Sequence, residues 1–267
     1  MINTSVAPPS AGLYEPAQEH DSCGVGFVVD MKGRKSHAIV SNAITILKNL
    51  LHRGACGCEE NTGDGVGILL QKPDKFFRRE CKRHSIKLPE FDRYGAGMVF
   101  LPRDPEQSQQ CQAIFEEIVQ DEGQHVLGWR DVPTDDSLLG PTARAGEPTF
   151  KQIFIGCSDS INDPAAFDRK LYVIRKRVEH KIWSSGLSER ELFYVPSLSY
   201  RIFLYKGMLT GSQIVPMFPE ISDPDVESAL ALVHQRFSTN TLPEWKLAQP
   251  FRYICHNGEI KIGRAHV

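Results

Sequence analysis

The feature that most constrains this chain is the grouping of its short apolar runs. "CGVGFVVD" (Cys23–Asp30), "VGILLQ" (Val66–Gln71), "YGAGMVFLP" (Tyr94–Pro102), "HVLGWRDVP" (His125–Pro133) and "PTFKQIFIGC" (Pro148–Cys157) each have strand length and strand composition. "ELFYVPSLSYRIFLYKGMLTG" (Glu191–Gly211) reads as two strands around a turn. "ESALALVHQRFS" (Glu227–Ser238) and "FRYICHNGEI" (Phe251–Ile260) read as two more. Strands that come in groups, with neighbours joined by short turns, favour antiparallel sheets with helices outside over an alternating parallel fold. The expected fold class is therefore α+β.

Helices are predicted between the strand groups. Ser36 stands where it would cap a helix from about His37 to Leu51, with Ile39, Ala43, Ile46, Leu47 and Leu50 on one face. Pro73 opens a basic helix to about His84, and two more span about Pro105–Val119 and Pro164–Ser185. Glu106, Glu116 and Glu117 are expected on a solvated helix face, as are Arg175, Lys176 and Arg177. "HRGACGCEENTGDGVG" (His52–Gly67) is a glycine-rich loop that satisfies neither phosphate-binding glycine pattern.

Charge and cysteine usage narrow the function. The formal net charge is −2, which offers no electrostatic case for nucleic acid or an anionic membrane as main partner. No apolar run approaches the roughly 20 residues of a membrane-spanning helix. Residues 1–22 contain neither Lys nor Arg and no apolar core, so they resemble no secretory or transit signal, and a cytoplasmic setting is expected. The seven cysteines are scattered and read as mostly free thiols. Cys56-Gly-Cys58 has no partner pair of the zinc kind, and no metal site is expected.

Cys23 heads its strand directly after a short polar leader. Cleavage before it would give one residue both a thiol and a free α-amine. That amine titrates near ~8, close to working pH, and is able to take the thiol proton without a histidine. A deprotonated thiol is a strong nucleophile for an amide carbonyl. Taken alone, Cys23 also fits an inert cysteine at a strand end.

Five motifs in order make the resemblance specific. "CGVGF" (Cys23–Phe27), "HRGA" (His52–Ala55), "TGDGVGI" (Thr62–Ile68), "HQRFSTNT" (His234–Thr241) and "LAQPFRYICHNGEI" (Leu247–Ile260) resemble the amidotransferase domain of glutamate synthase large chains, of the N-terminal-nucleophile type. The leader "LYEPAQEHDS" (Leu13–Ser22) is similar to the short propeptide of that family, and the likeness runs from about Leu13 to Ile260. The resemblance implies a four-layer αββα sandwich of antiparallel sheets, incomplete here at its C-terminal end. It implies that Cys23 attacks the side-chain amide of glutamine, and that Asn257 and the Gly258 N–H form the oxyanion hole. Arg236 would grip the substrate α-carboxylate, Thr239 would complete its polar contacts, and Arg53 would stand behind the nucleophile. Asn257-Gly258 outside that context is an ordinary hairpin dipeptide. His234 and His256 flank the site and are expected to be structural, as is a hydrogen-bonded His52.

The implied layout is a propeptide over 1–22, an incomplete class II amidotransferase domain over 23–261, and a tail over 262–267. Ile262–Val267 can be encoded by a common sequencing-library adapter, so it is expected to be an artefact rather than native chain. Family members continue into regions that carry FMN and an iron–sulfur cluster; this stretch itself is expected to hold no cofactor. Its expected partners are glutamine and the remaining synthase domains, with a small flavoprotein subunit left open. Alone, the fragment is expected to be weakly active or inactive. Two other readings stay open: a catalytically silent interaction module on the same fold, and an amidotransferase serving another acceptor.

Overall fold

The computed structural model describes residues 24–54, 59–235 and 242–256, with the Arg53 side chain left aside. Its strands are β1 (Val25–Val29), β2 (Val66–Gln71), β3 (Tyr94–Leu101), β4 (His125–Asp131), β5 (Thr149–Gly156), β6 (Tyr194–Ser199), β7 (Ile202–Gly207) and β8 (Leu230–Gln235). Its helices are α1 (His37–Asn49), α2 (Asp74–Arg83), α3 (Pro105–Asp121), α4 (Pro141–Ala145), α5 (Pro164–Trp183) and α6 (Ile214–Met217). The strands form two antiparallel sheets: sheet I in the order β1-β8-β2-β7, and sheet II in the order β4-β5-β3-β6. The α+β expectation and the antiparallel pairing both hold.

Local chemistry sets the helix starts. Asp104 accepts from the Gln107 N–H at 2.8 Å with Pro105 in the first turn. Asp163 accepts from Ala165 and Ala166 N–H groups, each at 3.0 Å, with Pro164 in the first turn. Both starts combine a side-chain cap with a proline where no N–H is needed. Ser36 does precede α1, but its side chain caps nothing. It is held in an extended bridge to Ser228, which takes its backbone groups instead.

Directly paired residues in an antiparallel sheet share a face, and this sorts sheet I. Gly26, Val233, Ile68 and Tyr205 form one row across it. A Cβ on Gly26 would meet the Ile46 side chain, so α1 covers this face over β1 and β8. Phe203 of the same face stacks edge-on against Phe77 of α2, which meets Phe154 of sheet II at 5.3 Å. One core therefore joins α1, α2, sheet I and the inner face of sheet II. A second core lies on the outer face of sheet II, under α3 and α5. With apolar layers on both sides, all eight residues of β3 are buried.

The opposite face of sheet I carries the row Phe27, Leu232, Leu69 and Leu204. Leu69 and Leu204 are buried, whereas Phe27 is 66 % exposed and Val29 45 %.

The segment 191–211 holds two strands around a turn, as expected, but β6 pairs in sheet II and β7 in sheet I, so the turn at Tyr200-Arg201 carries the chain between sheets. Phe251–His256 is not a strand; Phe251 and Ile254 exchange backbone hydrogen bonds at 2.9 and 3.3 Å in a local turn. The basic run on α5 is consumed by pairing. Arg177 meets Glu122 at 2.7 Å and Asp121 at 3.1 Å, and Lys176 meets Glu179 at 3.0 Å. Glu116 is not merely solvated, since it accepts from Trp129 Nε1 at 2.7 Å.

Candidate active site

Cys23, Arg236, Thr239, Asn257 and Gly258 lie outside the described residues, as does the Cys56-Gly-Cys58 pair; of Arg53 the backbone ends a short 3-10 turn, Leu51–Arg53. The described residues adjoining Cys23, Arg53, Arg236 and Asn257 meet at one place.

Gly24, next to Cys23, offers its carbonyl to the Gln235 N–H at 2.7 Å. Val25 pairs with His234 in the same register. The start of β1 and the end of β8 thus lie side by side, and Arg236 follows Gln235 by one peptide bond. His234 Nε2 sits 2.9 Å from the His256 carbonyl, so the ring donates to the residue that precedes Asn257. Gln249 Oε1 accepts the His256 N–H at 3.1 Å. Gly54, adjoining Arg53, approaches so closely that a Cβ there would strike the Gln235 amide. Four chain segments that sequence reasoning had placed at one site converge through their described neighbours.

The glycine loop is explained by close approach. A Cβ on Gly63 would collide with the Leu209 backbone, and one on Gly67 would come within 2.6 Å of the Gln249 carbonyl. Gly65 has φ +138°, a conformation that side chains disfavour. These contacts press β2 against the 248–250 segment that leads to His256.

The histidines behave as structural groups. His52 Nδ1 contacts the Asn49 carbonyl at 3.0 Å. His234 is 2 % exposed, and burial pulls its imidazole down to about 4, so it is neutral at working pH. A neutral ring whose Nε2–H is committed to a carbonyl offers that nitrogen to no thiol. Sequence reasoning missed Gln235 and Gln249. Both are buried, and their amides pack where the segments meet, yet a glutamine in a strand or beside a proline carries no signal of its own.

Among the described residues no group of three His, Cys, Asp or Glu side chains is placed to hold a metal ion. Cys81 lies in one core and Cys111 and Cys157 in the other; all three are free and buried, and burial pushes Cys81 and Cys111 up to about 12. Among the described residues no helix is long and apolar enough to cross a membrane. A cleft of about 390 Å³ beside Trp245, Glu244 and Lys246 has neither Gly24, Gln235 nor His256 in its walls.

Two antiparallel sheets, with the start of β1 and the end of β8 side by side, are consistent with the fold of a glutamine amidotransferase domain. The chain belongs to the class II glutamine amidotransferases, matching that family over residues 23–265. It is 45 % identical over 260 residues to the NADPH glutamate synthase large chain of Bacillus subtilis, covering 97 % of this chain and 17 % of that protein. It is 41 % identical to the NADH glutamate synthase of Saccharomyces cerevisiae, covering 98 % of this chain and 12 % of that one. It is 37 % identical to a ferredoxin-dependent glutamate synthase of Synechocystis, covering 97 % and 16 %. The chain is thus homologous to a small part of proteins whose names specify three different electron donors.

Proposed function

We propose that this chain is the glutaminase part of a glutamate synthase, with Cys23 as nucleophile once residues 1–22 are removed. The observation that carries the reading is the convergence of the segments adjoining Cys23, Arg236 and Asn257, tied by the Gly24–Gln235 and His234–His256 hydrogen bonds. The α-amine of Cys23 takes the thiol proton, and the thiolate adds to the side-chain carbonyl carbon of glutamine. The Asn257 amide and the Gly258 N–H receive the developing oxyanion, where one such donor is worth about 2.7–4 kcal/mol in the barrier. The ammonium returns its proton to the departing amide nitrogen, ammonia leaves, and a γ-glutamyl thioester remains. Water, deprotonated by the same amine, hydrolyses the thioester to glutamate. Arg236 holds the substrate carboxylate by its planar fork. Thr239 adds a polar contact, and Arg53 supports the nucleophile from behind.

In the longer protein the ammonia is passed to 2-oxoglutarate. FMN and an iron–sulfur cluster are proposed for its other regions, as the similarity to glutamate synthases implies. A small flavoprotein subunit is a further proposed partner, and the cytoplasm the proposed setting. The domain is proposed to run from 23 to 261 and to be completed as a four-layer αββα sandwich by chain that follows. The exposed Phe27 and Val29 on the open face of sheet I favour a second layer there.

The test is ammonia release from L-glutamine by the longer protein, with a mass measurement of its N-terminus. Loss of release in Cys23→Ala and a mature N-terminus at Cys23 support the reading. Full release in Cys23→Ala, or residues 1–22 retained on active enzyme, would sink it.

A further inference from the structure

The chain from Gln249 to His256 turns beside sheet I, and its end is fastened at both backbone polar groups of one residue. The His256 N–H donates to Gln249 Oε1 at 3.1 Å, and the His256 carbonyl accepts from His234 Nε2 at 2.9 Å. Both gripping side chains are more than nine-tenths buried, His234 at 2 % and Gln249 at 8 % exposure. The His256 carbonyl shares one planar peptide unit with the nitrogen of Asn257, and that plane resists twisting. Whatever holds the oxygen therefore sets the direction in which residue 257 begins.

We propose that His234 is a positioning residue for glutamine hydrolysis: its Nε2–H fixes the 256–257 peptide to β8 and thereby registers the Asn257 and Gly258 donors against the carbonyl attacked by Cys23. The inference rests on the function proposed above. The strand that supplies the fastening is the neighbour of the strand that Cys23 leads, with Val25 directly opposite His234. The described neighbours of Cys23 and of Asn257 are thus both fastened to β8. The carbonyl facing Nε2 selects the Nε2–H tautomer, and His234 Nδ1 has no hydrogen-bond partner among the described residues. Burial is the main influence against a second proton on the ring; the hydrogen bond to the His256 carbonyl opposes that influence, and the His256 side chain adds a smaller repulsion. The ring therefore donates without a charge change across the working range.

The experiment uses the longer protein with His234→Phe, which removes the donor, and His234→Gln, which restores an N–H donor on a flexible stem. Steady-state glutamine hydrolysis is followed across neutral pH, with iodoacetamide alkylation of Cys23 as a separate measure of the nucleophile. His234→Phe is expected to lower kcat about 10- to 100-fold while KM stays within about threefold. The alkylation rate and the shape of the pH profile should be unchanged, and His234→Gln should recover a measurable part of kcat. Gln249→Leu, which loosens the other grip, is expected to reproduce the kcat loss and carries the test if His234→Phe does not fold. Unchanged kcat in both His234→Phe and Gln249→Leu would overturn the assignment. So would a lost acidic limb of the pH profile, which marks His234 as a base, or a loss of alkylation equal to the loss of kcat. If the wild-type protein releases no ammonia, or Cys23→Ala releases it fully, the underlying function fails first and this inference with it.

Discussion

Glu220 is the sharpest place to test how the two sheets are held together. It lies on a short 3-10 turn, Pro219–Ser222, and its carboxylate receives three donors. Arg130 of β4 donates at 2.8 Å, Gln152 of β5 at 2.7 Å and Tyr205 of β7 at 2.6 Å. The Arg130 and Glu220 side chains are 3 % and 4 % exposed, and the next carboxylate, Glu80, is 3.9 Å from Arg130. Burial and the Glu220 carboxylate push the Tyr205 phenol well up, so it stays a donor. Glu220→Ala would strand a buried guanidinium, at a cost of about 3–5 kcal/mol. The orphaned Tyr205 hydroxyl adds to the loss but not in full, because the groups form one network. With a urea slope near 2 kcal/mol/M, a loss of about 4 kcal/mol moves the unfolding midpoint down by about 2 M. Fluorescence of Trp129 and Trp245 follows the transition, since Trp245 touches Phe150 of sheet II and Trp129 lies on it. The double change Arg130→Met with Glu220→Leu removes both charges and should sit within about 1–2 kcal/mol of the parent chain. A midpoint shift below about 0.5 M for Glu220→Ala, or a double variant as damaged as the single, would refute the argument that an unpaired buried cation dominates.

Three further outcomes follow from other parts of the fold. Phe27→Asp should change the stability of this chain by no more than about 0.5 kcal/mol, because Phe27 is 66 % exposed, but should lower the melting temperature of the longer protein if chain beyond this stretch covers that face; equal effects in both would disprove the covering. Burial and the nearby Asp136 raise Glu147 to about 7, above its unfolded value of 4.5. The folded state then holds the extra proton, so stability falls as pH rises from 4.5 to 7; Glu147→Gln should flatten that slope by on the order of 1 kcal/mol in denaturation at pH 5 and pH 8, and an unaltered slope would contradict it. Gly67→Ala should displace the 249–250 backbone and reduce glutaminase activity more than Gly33→Ala does, because a Cβ on Gly33 meets nothing within 4 Å; equal activity in an ammonia assay would argue against the contact.

Much of the secondary structure was legible because local chemistry agrees with the tertiary outcome. Pro105 and Pro164 stand in first turns with aspartate caps beside them, and Val66–Gln71 is a strand with the bounds its apolar run suggests. Legibility stopped where partners distant in sequence decide. Ser36 looks like a cap, yet Ser228, far along the chain, holds its backbone extended. Phe251–His256 has strand composition, but its backbone groups are taken by each other and by the Gln249 and His234 side chains. At the candidate site, motifs nominate the proposed reacting residues, whereas the residues that hold their neighbours in place carry no such signal. His234 was visible only as a flanking histidine, and Gln249 not at all.

The sequence by itself determined the α+β class, the positions of most strands and helices, and the order of motifs that marks the family. Those are carried by periodicity, caps and residue type, which act over a few residues. Only the tertiary structure decided that the chain changes sheets at Tyr200-Arg201, that α1 and sheet II share one face of sheet I, and that the ends of β1 and β8 meet the returning 249–256 segment. The reason is physical: an apolar run seeks burial without specifying its partner. Which strand it pairs with, and which face closes, is set by the one arrangement that satisfies the backbone donors and the buried Arg130 and Glu220 charges together.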